Sequence, residues 1–253
     1  MKIFRANQKK VIFFKPKFKL KNYYNSIIPL TVYQTWNTKN LPPKMKETLM
    51  YNKLCNPKFD FIVYDDNDCR EFIKNNFDLE VLQTFDKLKP GAYKADLWRY
   101  CILYINGGIY MDIKFRCVNG FKFISLTEKE HFPTDVIISE YPNEPNKAVY
   151  NGFMVSLPKN EKLKKAIQQV VENVKNNYYG ISPLDITGPI MFGNFFTYDE
   201  KKNSTTKRYV GTQGNGVSIG NIIILDEYQD YRNEQKQITI HYNEYWRNKN
   251  IYN

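Results

Sequence analysis

The sequence predicts an α/β fold, a mixed sheet flanked by helices. Short β-branched or aromatic runs alternate with longer helix-like runs, as in layered α/β domains. The early short runs end in polar or aromatic groups, where such sheets bind ligands. With 253 residues, 42% hydrophobic and 16% aromatic, the chain has apolar matter for one substantial core, which excludes a disordered chain. Without a Pro/Ser-rich linker, it reads as a basic leader over residues 1–25 and a single domain over 26–253.

Leu30–Tyr33 is a first strand, followed by a helix over Pro43–Cys55 with proline at its first position. Phe59–Tyr64 is a second strand, and helices follow over Asp68–Asn76 and Leu79–Leu88. Ala95–Ile105 shows i, i+3, i+4 spacing, with Leu97, Cys101 and Tyr104 on one stripe and Trp98, Ile102 and Ile105 on the next. Asn106-Gly107-Gly108 stops that helix, because glycine accepts the left-handed conformation of a helix end. Ile109–Met111 is a buried strand that ends at Asp112. Further strands are expected over Val136–Ser139 and Gly152–Leu157, then a helix over Glu161–Asn176 burying Leu163, Ile167, Val170 and Val174. A short helix could start at Pro189 with Thr187 as its N-cap. Thr197–Gly220 is polar and glycine-rich and reads as a surface hairpin, with a lid as the sharper alternative.

Gln34-Thr35-Trp36, Asp65-Asp66 and Asp112 each follow a strand, so parallel neighbouring strands would bring all three to one cleft. Asp96 and Arg99 lie one helical turn apart and read either as a surface ion pair or as a paired acceptor and donor for a ligand.

The net charge of +11 suits an anionic ligand, an anionic membrane surface or nucleic acid without choosing among them. No nucleic-acid module is recognisable, so nucleic-acid binding ranks last. Val11-Ile12-Phe13-Phe14 is too short for a membrane span or a signal peptide core. Cys55, Cys69, Cys101 and Cys117 form no Cys-x-x-Cys and read as reduced thiols, so a cytoplasmic protein is expected, with peripheral membrane contact compatible with its charge.

The segment Lys94–Phe115, KADLWRYCILYINGGIYMDIKF, joins Ala95-Asp96, Arg99 and a Gly-Gly-x-Tyr-x-Asp run. It resembles the sugar-nucleotide glycosyltransferases of family 32, which include outer-chain mannosyltransferases and capsular polysaccharide synthesis enzymes. More distantly it is similar to the catalytic domain of the large glucosylating bacterial toxins. Ile28–Trp36, Phe61–Asp66, Asn151-Gly152-Phe153-Met154, Thr187-Gly188-Pro189, His241 and Trp246 resemble further family motifs in the family's order, covering roughly residues 26 to 250.

The resemblance implies a GT-A type, Rossmann-like fold and a retaining hexosyltransferase that uses a UDP- or GDP-sugar and a glycan or other hydroxyl acceptor. It assigns Gln34, Thr35, Trp36, Asp65 and Lys94 to the donor side, together with Asp96, Arg99, Gly107, Gly108, Tyr110 and Asp112. Within that set Asp96 and Arg99 would bind the sugar hydroxyls, and Trp36 and Tyr110 would flank the nucleobase. Asp112, Lys114, Asn151 and Asp185 would stand at the reaction centre. Thr187, Gly188, Pro189, His241 and Trp246 would lie toward the acceptor and the leaving phosphate. His131 has only a loop context and is given no role.

One position departs from the family pattern. Asp-x-Asp, whose second carboxylate is the main ligand for a divalent ion, here reads Asp112-Ile113-Lys114. A protonated lysine offers three donors and no acceptor, so the metal site is incomplete. Either the Lys114 ammonium takes over part of the role of manganese or magnesium, or Asp112 and His241 hold an ion between them. Without a metal, Lys114 or Arg116 must offset the charge of Asp112. The alternative to an active transferase is a degenerate protein that binds sugar nucleotides without turnover.

Overall fold

The computed structural model describes residues 18–135, 148–210, 214–236 and 240–253. Its first sheet holds β1 (Thr31–Thr35), β2 (Asp60–Tyr64), β3 (Gly108–Met111) and β6 (Phe153–Ser156) in the order β2-β1-β3-β6. Strands β1, β2 and β3 are parallel, with Val32 opposite both Phe61 and Ile109, while β6 runs antiparallel to β3. The parallel neighbours expected from sequence are therefore present.

A second sheet holds β4 (Phe115–Cys117), β5 (Thr134–Asp135), β7 (Thr206–Val210), β8 (Asn215–Ile219) and β9 (Ile222–Glu227) in the order β4-β9-β8-β7-β5. The glycine-rich stretch is thus a hairpin, β7 with β8, preceded by a short helix over Tyr198–Lys202. Asp112-Ile113-Lys114 is the crossover from β3 in the first sheet to β4 in the second. The strand expected over 136–139 lies outside the described residues.

The helices are α1 (Pro43–Cys55), α2 (Asp66–Asn76), α3 (Leu79–Lys87), α4 (Gly91–Asn106) and α5 (Glu161–Lys175). Shorter ones follow: α6 (Pro189–Gly193), α7 (Tyr198–Lys202), α8 (Tyr231–Lys236) and α9 (Tyr242–Arg247). Their starts have local causes. Asp65 caps α2 in a reciprocal box with Asp68, and Asp78 and Asn160 cap α3 and α5 through side-chain oxygens.

Helix α4 differs from its two-striped reading. It packs against α5, α2 and β3, and every residue from Asp96 to Leu103 is buried. A polar side chain on such a helix must find partners inside the protein, so Asp96 and Arg99 are not a surface pair. Gly107 ends the helix at φ 64°, and a Cβ there would lie 2.7 Å from Pro158, so the turn needs glycine on both counts. No described helix is long and apolar enough to cross a membrane.

Candidate functional site

The exit of β3 is the centre of a buried polar network. Asp112 follows Met111, and its backbone N–H donates to the Gly152 carbonyl at 2.8 Å. Its Oδ1 accepts from the Tyr110 hydroxyl at 2.9 Å and its Oδ2 from the Lys114 ammonium at 2.6 Å. The Arg99 guanidinium stands 3.6 Å from Asp112 and 3.3 Å from Asp96, so one cation serves two carboxylates. Burial pushes the Asp112 carboxyl up, but Lys114 and Arg99 outweigh it and leave its pKa below the ordinary value. Burial likewise works against the charge on Lys114, and the Asp112 carboxylate outweighs it, so the ammonium is firmly protonated.

Asp96 anchors the other half of the network. It accepts from Asn151 Nδ2 at 2.9 Å and from the Thr187 hydroxyl at 2.7 Å. Asn151 also donates to the Tyr100 hydroxyl at 2.7 Å, Tyr100 donates to the Thr187 carbonyl at 2.9 Å, and Arg99 donates to the Asn151 carbonyl at 3.0 Å. Burial raises the Asp96 carboxyl to about 6, with Arg99 and Thr187 opposing the rise. Residues distant in sequence, 96, 99, 112, 151 and 187, therefore form one connected cluster.

The structure leaves other expected residues at different work. Thr187 does not cap α6, whose N-cap is Gly188; its hydroxyl goes to Asp96 instead. Pro189 opens α6, and its carbonyl accepts from the Val149 amide at 3.0 Å. Asp185 ties its own turn, accepting from the Ile181 and Ser182 amides. Thr35 donates to the Tyr64 carbonyl at 3.0 Å, and Asp65 is occupied as a helix cap. Lys94 lies over the Phe85 ring and is an electrostatic neighbour of Asp66, at the same end of the sheet. Gly107 and Gly108 shape the turn into β3 through their positive φ angles.

Tyr110 is buried, with the Arg99 guanidinium 4.4 Å from its ring centre and Trp98 edge-on beside it. Its ring is thus a wall of the network, not an open stacking face. Trp36 packs with Ile113, the residue between Asp112 and Lys114. Gln34 is fully buried, and neither its amide atoms nor Trp36 Nε1 has a hydrogen-bond partner among the described residues. Unpaired buried polar groups cost about 1–3 kcal/mol each, so a row of them at the end of β1 fits a place completed by a ligand or water.

The late motif is only partly at the site. His241 caps α9, its Nδ1 accepting from the Asn243 amide at 3.3 Å, with the ring stacked on Tyr242. Trp246 Nε1 donates to the Tyr179 carbonyl at 2.7 Å. No hydrogen bond or ion pair joins His241 to Asp112 among the described residues, which contain no cluster of three metal-ligating side chains. Both Asp112 oxygens are already engaged and two cations adjoin them, so this donor set does not fit a divalent ion. Arg116 does not offset Asp112; it lies 3.9 Å over the Tyr51 ring.

Several participants carried no sequence signal strong enough to name them. Tyr150 leans its hydroxyl toward Asp112 Oδ2 at 3.4 Å, and Lys114 and Arg208 stand 6.0 and 4.9 Å from its ring centre. A Cβ on Gly152 would fall 2.3 Å from the Tyr150 hydroxyl and 2.6 Å from Asp112, so only glycine permits this approach. Tyr231 and Tyr242, from α8 and α9, lie within electrostatic reach of Asp112 and Lys114. Adjacency of Tyr150 to Asn151 was the one available hint; Arg208 arrives from the second sheet and had none.

Residues 31–141 match the family model for the glycosyltransferase sugar-binding region containing DXD motif. An uncharacterized glycosyltransferase of Acanthamoeba polyphaga mimivirus is 34% identical over 47% of this chain and 52% of its own length. Inositol phosphoceramide mannosyltransferase 3 of Schizosaccharomyces pombe is 32% identical over 37% of this chain and 26% of its own. The matched parts amount to about half or less of these relatives' lengths. The solved PaToxG glycosyltransferase overlays with a TM-score of 0.49 at 18% identity, over 66% of this chain and 67% of that one. The family model and the named relatives bear out the resemblance to glycosyltransferases of the family-32 type.

Proposed function

We infer that the chain moves a hexose from a nucleotide sugar to a hydroxyl acceptor with retention of anomeric configuration. The observation that carries this reading is the single cluster at the β3 exit, where Asp112, Lys114, Arg99, Asp96, Asn151 and Thr187 come together. Glycosyl transfer breaks the anomeric C–O bond, placing negative charge on the β-phosphate and positive charge on the sugar ring. Fixed cations beside the phosphate stabilise the first, and carboxylates near the ring stabilise the second. Sugar hydroxyls require both donors and acceptors, which Asp96, Arg99 and Asn151 supply.

Asp96 and Asp112 are both held by Arg99, and Asp112 also by Lys114, which lowers their reactivity as nucleophiles. That favours same-face substitution, in which the leaving diphosphate takes the proton of the incoming hydroxyl while the new glycosidic bond forms. The mannosyltransferase name of the fission yeast relative makes mannose the first sugar to try. A thermal-shift screen of UDP-, GDP- and CMP-sugars identifies the donor, since a ligand of the native state raises Tm. Product NMR then reads the anomeric centre. Retention is expected, and an inverted centre removes the same-face step.

A further inference from the structure

Resting on that donor reading, we propose that this site receives the nucleoside diphosphate without a divalent ion, the Lys114 ammonium standing where the ion would be. Lys114 belongs to the crossover between the two sheets, and its carbonyl accepts from the Tyr228 amide at 3.0 Å, so its backbone is pinned. Its side chain turns back to Asp112 at 2.6 Å, passes over the Phe115 ring at 5.2 Å and is only 13% exposed. A lysine that served only to solvate the surface would not be buried at the end of the parallel strands.

Charge balance points the same way. Arg99 and Lys114 match Asp96 and Asp112 one for one. A divalent ion at Asp112 would have one protein carboxylate, already engaged on both oxygens, and two neighbouring cations to repel it. A diphosphate brings the opposite sign and meets an ammonium already in place. Lysine has three N–H donors. One goes to Asp112 and one faces the Tyr150 hydroxyl, which leaves a donor for a phosphate oxygen. Arg208, across the Tyr150 ring, adds positive potential from the second sheet, although Asp135 and Asn215 hold its guanidinium in place.

The test is calorimetric titration of UDP and, separately, GDP into the full chain, once with chelator and once with manganese. Equal affinity within about twofold in the two buffers is expected for the wild type. Lys114→Met should bind about tenfold or more weakly in both, the loss of one charge-assisted contact. Lys114→Asp, which restores Asp-x-Asp, should bind only when manganese is present. Circular dichroism melts confirm that each variant is folded. Manganese-dependent binding by the wild type overturns the inference and leaves the transferase reading standing, as does unweakened binding by a folded Lys114→Met. Absence of binding of both nucleotides in both buffers overturns the inference and the donor reading together.

Discussion

Two arginines face buried carboxylates, Arg208 in the second sheet and Arg99 of α4 at the β3 exit, and they do so differently. In the second sheet Arg208 donates from Nη1 to Asp135 at 2.6 Å, while its Nε and Nη2 both go to Asn215. One guanidinium meets one fully buried carboxylate through one close hydrogen bond. At the β3 exit Arg99 spends its shorter bonds on the Ala95 and Asn151 carbonyls and stands 3.3 and 3.6 Å from two carboxylates. The first arrangement is complete without a ligand. The second spreads one charge over two acids, and burial raises Asp96 to about 6 against the pull of Arg99. Tyr150, between Lys114 and Arg208, joins the two regions.

The sharpest way to break this contrast is Arg208→Met. Removing the guanidinium from Asp135 should destabilise the protein by about 3–5 kcal/mol, as loss of one partner in a buried ion pair does. Urea unfolding measures it, and a change below about 1 kcal/mol would mean that the second-sheet pair is not structural.

Gly152→Ala attacks the junction. The added Cβ must push either the Tyr150 hydroxyl or Asp112 aside, which should cost about 1–3 kcal/mol in stability and disturb the site as well. Wild-type activity and stability in this variant would show that Tyr150 and Asp112 are not held as described.

Much of the first region was legible because it is local in sequence. Asp96, Arg99, Gly107, Tyr110, Asp112 and Lys114 fall within one helix–turn–strand–crossover segment, where spacing alone orders them. The partners that complete it were legible only as motifs, since the side-chain bonds from Asn151 and Thr187 to Asp96 span 55 and 91 residues. The burial of α4 on all sides was not legible either, because α5 covers the face that would otherwise meet solvent. Arg208 was invisible because its pairing depends on β5 and β7 lying side by side, a contact no periodicity encodes.

Titration separates the two regions more gently. A carboxyl whose native pKa is raised binds its proton more tightly when folded, so its stabilising effect is present below the ordinary value of 3.8 and is lost as pH rises through about 6. Asp96→Asn should therefore gain about 2 kcal/mol relative to the wild type between about pH 4.5 and about pH 8. Urea melts at the two pH values check this. A pH-independent difference would show that Asp96 is not the strained acid of the cluster.

The smallest effect sharpens the boundary of the site. Asp65→Ala removes the α2 cap and should cost about 1 kcal/mol with activity nearly unchanged. A tenfold loss of activity without loss of helix stability would instead return Asp65 to the donor pocket, as the sequence resemblance had it.

The most direct test of the whole account is release of nucleoside diphosphate from a panel of UDP- and GDP-sugars by the wild type and by Asp112→Asn. The account predicts that the wild type consumes at least one donor and that Asp112→Asn, still folded, does so about a thousandfold more slowly. Equal release by the two proteins, or no release from any donor by the wild type, would contradict it.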